Sequence, residues 1–162
     1  MLHLEVFTDG SVNTQLKVGY GAYLIVSKQS QSIDSLKEKV KIKRFVQTSS
    51  TKLELQTLLW ALDDIITVAE ASDISLCIYT DSQNIIGLPG RQSVLEQNNY
   101  FSSKNKRLNN YELYQEFYRL TSSIKYKLVK VFGHQVSSKK GEIDTLFSLV
   151  DKASRRALRE EF

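Results

Sequence analysis

The chain is poor in cysteine and proline, with one of each. A lone cysteine, Cys77, excludes an internal disulfide, and its neighbours offer neither a zinc-ligand spacing nor a nucleophile's partners. It lies in an apolar run and reads as a small buried side chain. No apolar stretch is long enough to span a bilayer, and no signal-peptide pattern opens the sequence. No membrane partner is therefore expected, and a reducing, cytoplasmic setting is. Internal repeats, low-complexity tracts and linker-like segments are also missing. The 162 residues, 41% of them hydrophobic, suffice for one domain over 1–162 with its own core, and nothing demands more than a monomer. Charge of one sign is in no great excess: 22 Lys and Arg face 18 Asp and Glu, a net +4. That balance fits a merely soluble surface. It fits an anionic polymer as partner equally well, once some carboxylates are committed to metal.

What the chain does have is one phrase written twice, Val6-Phe7-Thr8-Asp9-Gly10-Ser11 and Ile78-Tyr79-Thr80-Asp81-Ser82-Gln83. Each is an apolar run closing on aromatic-Thr-Asp, a strand that delivers a carboxylate at its C-terminal end, the edge where open α/β sheets bind ligands. Asp before Gly or Ser is also ordinary turn chemistry, but two copies on strand ends point to a shared site for a divalent cation. A third carboxylate, Glu54, falls within the apolar stripe Leu58, Ala61, Leu62, Ile65 and Val68 of a helix running from Thr51 to about Ala69. An unpaired carboxylate on a core face is costly unless it is paired, neutralised or metal-bound, although a first-turn acid also suits the helix dipole. Near the C-terminus, a helix over Glu142–Glu161 with stripe Ile143, Leu146, Phe147, Val150, Ala153 and Ala157 carries both Asp144 and Asp151 on its shoulder. Periodicity does not choose between them.

Three or four converging carboxylates repel one another unless cations neutralise them, and hard oxygen ligands suit Mg²⁺ or Mn²⁺. Two such ions about 4 Å apart activate a water and stabilise the leaving oxygen in phosphodiester cleavage. The spacing predicts strands near 3–9, 19–27 and 39–47, a helix at 51–70 and a strand at 74–80. A short helix from about Ser82 is broken at Gly87 and Pro89-Gly90, and an insertion over about 87–108 has its own short helix near 93–99. A helix at 110–122, a strand at 125–132 and the last helix follow. This is a meander of three strands followed by β-α-β units.

In these pieces the chain resembles the type 1 ribonuclease H family. The matching segments are Phe7–Ser11, Gly19-Tyr20-Gly21-Ala22, Lys52-Leu53-Glu54-Leu55, Tyr79–Gln83, Gly133-His134 and Asp151–Ala157, in the family's order and spanning nearly the whole chain. The resemblance implies an α/β ribonuclease H-like fold, a five-stranded mixed sheet with helices on both faces. It implies a metal-dependent endonuclease that hydrolyses the RNA strand of RNA/DNA hybrids, with two Mg²⁺ ions, or Mn²⁺ in their place, held by Asp9, Glu54, Asp81 and Asp151. Asp151 is favoured over Asp144 because the family's last carboxylate opens a short Ala-containing helical stretch. His134 matches a loop histidine that assists proton transfer or product release. Gln83 matches a residue that reads the minor groove, and Ser11, Ser49 and Asn110 fall where the family contacts backbone. The basic insertion, with Arg91, Lys104, Lys106 and Arg107 and the rings of Tyr100 and Phe101, matches a protrusion that grips the duplex; a solvated loop explains the same residues.

The chain departs from the family's pattern in three places. The segment Val12–Val18 has no glycine, Phe132 stands where a lysine usually precedes Gly-His, and the stretch from His134 to Asp151 is long. These departures keep two rivals in view, a nuclease of the same fold acting on DNA structures and a non-catalytic nucleic-acid-binding module. Elsewhere the reading is structural. Lys39, Lys41 and Lys43 alternate with apolar residues as edge protection, Tyr111, Tyr114, Phe117 and Tyr118 form a core stripe, and His3 has no role.

Overall fold

A computed structural model describes residues 2–27, 31–69, 73–132 and 141–162. Alternating apolar and polar residues form a hairpin of β1 (Leu2–Asn13) and β2 (Val18–Ser27), and β3 (Lys41–Val46) pairs antiparallel with β2. The sheet then turns parallel: β4 (Ile74–Thr80) joins β1, and β5 (Lys125–Lys130) joins β4. The resulting five-stranded order is β3-β2-β1-β4-β5. The mixed α/β sheet expected from the sequence is thus present.

Helices cover both faces, and successive side chains of β1 divide between them. Val6 enters one core with α2 (Ser50–Ala69) and α5 (Tyr111–Thr121); Phe7 enters a second with α6 (Glu142–Glu161). On the first face, α2 lies unusually close to β2. A Cβ on Gly21 would sit 2.1 Å from the Thr57 hydroxyl oxygen, and one on Gly19 would sit 2.6 Å from the Leu53 side chain. Only a residue without a side chain lets the helix descend this far, and the Gly19-Tyr20-Gly21 motif is explained by that contact. On the second face, α6 is anchored at its far end, where Arg44 of β3 donates from Nε (2.8 Å) and Nη2 (2.9 Å) to the Glu161 carboxylate, which also accepts from Tyr20 Oη.

Several elements differ from expectation. Strand β1 does not stop at Asp9 but runs on to Asn13, because β2 pairs with its whole length while β4 matches only as far as Phe7. Asp9 therefore lies beyond the parallel ladder yet within the hairpin. The glycine-free tip closes as an Asx turn, with Asn13 Oδ1 accepting from the Gln15 and Leu16 amides and Lys17 held at φ 58°. A short helix α1 (Ile33–Glu38), not foreseen, precedes β3; Ser32 caps it by accepting from the Ser35 amide, and Leu36 plugs it into the second core. The short helix after Ser82 is α3 (Gln83–Ile86), but the insertion helix α4 spans Leu88–Gln97, because Pro89 stands in its first turn where no amide donor is needed. Val68, placed on the core stripe of α2, is 84% exposed in the last turn of the helix, whose buried residues end at Ile65. Cys77 is only half-buried, on the β4 face opposite Leu76 and Ile78. The α5 stripe holds, with Tyr114, Phe117 and Tyr118 buried and Tyr118 Oη donating to the Leu88 carbonyl at 2.7 Å. Strand β3 is an edge of the sheet, as the alternating lysines suggest.

Candidate active site

The close approach of α2 determines where Glu54 goes. One turn into the helix, directly beside the Leu53 that covers Gly10 and Gly19, its carboxylate is brought against Asp9 of β1. Carboxylate oxygens of Asp9, Glu54 and Asp81 all lie within 4.8 Å of one another. They line an open cavity of about 490 Å³ together with Asp151 and Arg155 of α6, Ser11, Gln83, and Ser50 and Thr51 at the start of α2.

Its electrostatics are those of an anionic cluster short of counter-charge. Asp9 is 4% exposed, and burial, followed by the nearby Glu54 and Asp81 charges, pushes its pKa up to about 10. The Gly10 amide donates to it at 2.9 Å. Burial and Asp81 raise Glu54 to about 8, and Glu54 Oε2 is a buried oxygen with no hydrogen-bond partner among the described residues. Asp81 is more open; burial and Asp151 raise it, while Lys130 and Arg155 pull the other way. Asp151 Oδ1 pairs with Arg155 Nε at 3.0 Å. Carboxyl groups that burial and then their mutual repulsion hold protonated, with an unpartnered buried oxygen among them, fit hard divalent cations.

Asp144 is remote from this cavity in role as well as place, since its Oδ2 accepts the Gly141 amide at 3.3 Å and caps α6. Ser11 Oγ lies 3.1 Å from Ser154 Oγ, tying the end of β1 to α6 beside Asp151. Gln83 is exposed and its Oε1 accepts from Lys130 Nζ at 2.8 Å. Ser49 accepts the Lys52 amide at 3.3 Å, so its hydroxyl serves the start of α2; Asn110 precedes α5 without a side-chain cap. In the insertion, Arg91 is internally engaged: Nη2 donates to the Asn84 carbonyl and to Asn84 Oδ1, with the guanidinium over the Tyr114 ring. Arg107 is sandwiched over Phe101 and Tyr111, with centroid distances of 5.3 and 4.7 Å, while Lys104 and Lys106 are exposed. None of the four lines the acidic cavity. His134 and the Ser137–Lys140 loop lie outside the described residues. Arg155, Ser154 and Lys130 were not anticipated as site residues. Ser154 and Arg155 were signalled only as part of the matching Asp151–Ala157 segment, one turn after Asp151, and Lys130 only by its place at the end of the strand beside Asp81.

The family model of RNase H matches residues 2–152. The chain belongs to the RNase H family. Ribonuclease H of Treponema denticola is similar to this family member, at 27% identity over 143 residues, 82% of this chain and 87% of that protein. The fold is shared with the crystal structure of prototype foamy virus protease-reverse transcriptase, at a TM-score of 0.71 and 13% identity, with 94% of this chain and 20% of that chain covered. The RNase H family makes the chain a metal-dependent nuclease of the ribonuclease H type. No helix among the described residues is long and apolar enough to cross a membrane.

Proposed function

We propose that one domain over residues 1–162 hydrolyses the RNA strand of RNA/DNA hybrids through two divalent cations, Mg²⁺ or Mn²⁺ in its place, held by Asp9, Glu54, Asp81 and Asp151, and leaves 3′-hydroxyl and 5′-phosphate ends. The observation that carries this reading is the convergence of the first three carboxylates within 4.8 Å, beneath a cavity that Asp151 borders. When bound, the ions supply Lewis acidity toward the attacking water and the leaving oxygen. The protein's own part is preorganisation. Gly10 fixes the Asp9 carboxylate through its amide, Ser11 and Ser154 hold α6 against β1, and Arg155 keeps Asp151 on the cavity wall. Arg155 and Lys130 add positive charge where a phosphate would lie, and Lys130 orients Gln83 toward the hybrid.

Ser11, Ser49, Gln83 and Asn110 contact the hybrid, and Lys104, Lys106 and Arg107 track phosphates further along it; Arg91 instead fixes the insertion to α3 and α5. His134 carries the proton-transfer or product-release role that the family pattern gives it. A binding module without catalysis is the competing reading, and the presence of all four carboxylates speaks against it.

The test is incubation with Mg²⁺ and a labelled RNA/DNA hybrid, beside duplex DNA, duplex RNA and single-stranded RNA of one sequence. Cleavage confined to the RNA strand of the hybrid, and lost in Asp81→Asn, is the expected result. Binding without cleavage in both Mg²⁺ and Mn²⁺ would establish the silent module.

A further inference from the structure

The helix α1 is short, but it opens a groove. It packs on the second core through Leu36 alone, and between it, the edge strand β3 and the outer side of α6 lies a trough of about 830 Å³. Its floor is apolar: Ile33 and Val40 from the α1 segment, Ile42 from β3, and Leu149, Ala153 and Ala157 from α6. Ile33 and Ile42, both lining this trough, remain 43% and 47% exposed. The rim carries Lys37, Lys152, Arg156 and Arg159 against Asp34 and Glu160. Arg156 is neutralised by Glu160 at 2.9 Å, whereas Lys37, Lys152 and Arg159 have no ion-pair partner among the described residues.

We infer that this groove docks an acidic peptide segment of another protein, one that alternates large apolar side chains with carboxylates. The apolar floor receives the side chains and the surplus of rim cations receives the carboxylates. Nucleic acid fits less well, because the lining includes no aromatic ring for stacking and its centre is hydrocarbon rather than polar. The two small residues Ala153 and Ala157, one helical turn apart, let a partner backbone come down close to α6 between the flanking cations. At about 100° per residue, the groove side of α6 lies roughly 160° around the helix from Asp151. The groove and the acidic cavity share no lining residue, so the peptide and the hybrid are held at the same time. The groove thereby brings the nuclease to wherever its partner sits.

Fluorescence anisotropy tests this with a fluorescein-labelled peptide of about twelve residues in which Leu and Phe alternate with Glu and Asp, and a control peptide with Lys at every acidic position. Saturable binding in roughly the micromolar range is expected for the acidic peptide only. The double variants Ile33→Asp/Ile42→Asp and Lys37→Glu/Arg159→Glu should each weaken it ~10-fold or more, with hybrid cleavage unchanged and circular dichroism reporting the fold. Ile33→Ala, which adds no charge, should weaken it less and in the same direction. Absence of saturable binding, equal binding by the variants, or equal affinity for the Lys peptide would each overturn the inference. So would loss of hybrid or single-stranded DNA binding in the charge variant with peptide binding retained, which would assign the face to nucleic acid.

Discussion

Asp9→Asn separates the electrostatic cost of the carboxylate cluster from its use. The unfolded Asp9 ionises near 3.8, while in the fold it holds its proton to about 10. A raised acid pKa means the folded state binds more protons, so stability falls as pH climbs from the unfolded value toward the folded one. At ~1.4 kcal/mol per pH unit over the roughly three units between 3.8 and pH 7, Asp9 costs the metal-free fold up to ~4 kcal/mol. Asparagine has the same shape, still accepts the Gly10 amide, and carries no such cost. Without metal, Asp9→Asn should therefore be about 2–4 kcal/mol more stable than the parent at pH 7, roughly 6–12 °C in Tm, with the gain vanishing near pH 4. Thermal and urea unfolding in EDTA at pH 4, 5.5 and 7 measure it, and a parallel series in Mg²⁺ should reverse the order, because only the parent gains from binding the ion. A gain that is the same at pH 4 and pH 7, or a variant stabilised by Mg²⁺ as much as the parent, would refute the reasoning. The variant should also fail to cleave the hybrid.

Gly21→Ala should cost about 2–3 kcal/mol in urea unfolding and lower cleavage with it, since a Cβ 2.1 Å from Thr57 Oγ1 forces α2, and Glu54 on it, away from the sheet; Thr57→Ala should partly restore both. Asp151→Asn should remove cleavage, whereas Asp144→Asn should leave the rate intact and cost about 0.5–1 kcal/mol in thermal melts through the weakened start of α6. Exchanging Lys104, Lys106 and Arg107 for Ala should reduce the salt dependence of hybrid binding by up to ~3 in the slope of log K against log salt. An unchanged slope would reduce the insertion to packing.

The elements that position the site were legible because the sequence encodes them locally. Apolar periodicity gave α2 and α6, and the repeated aromatic-Thr-Asp phrase marked the two strands that carry Asp9 and Asp81. What stayed hidden depends on partners distant in sequence. The extent of β1 is set by β2 rather than by its own residues, so Asp9 read as a strand end when it lies inside a hairpin. Helix α1 is only six residues long, with a single buried anchor in Leu36, too little for a periodic signal. Arg91 reads as a free surface cation until Asn84 and Tyr114 are seen to enclose it. Periodicity left Asp144 and Asp151 equivalent; that one oxygen of Asp144 meets the Gly141 amide while Asp151 borders the cavity depends on contacts no local pattern encodes.

The sheet divides the molecule into two hydrophobic cores, and Glu54 belongs to the helix of one while Asp151 belongs to the helix of the other. The acidic cavity is therefore a seam at which two otherwise separate packing units meet, with the Ser11–Ser154 contact as its only other stitch at that end of β1 among the side-chain hydrogen bonds of the described residues. Cations bound there would fasten the units into one cooperative block, and amide protection in α2 and in α6 would rise together on metal addition. Conversely, a transient opening of either core would take one of these carboxylates out of reach of the rest, so the integrity of each layer governs how long the acidic cluster stays assembled.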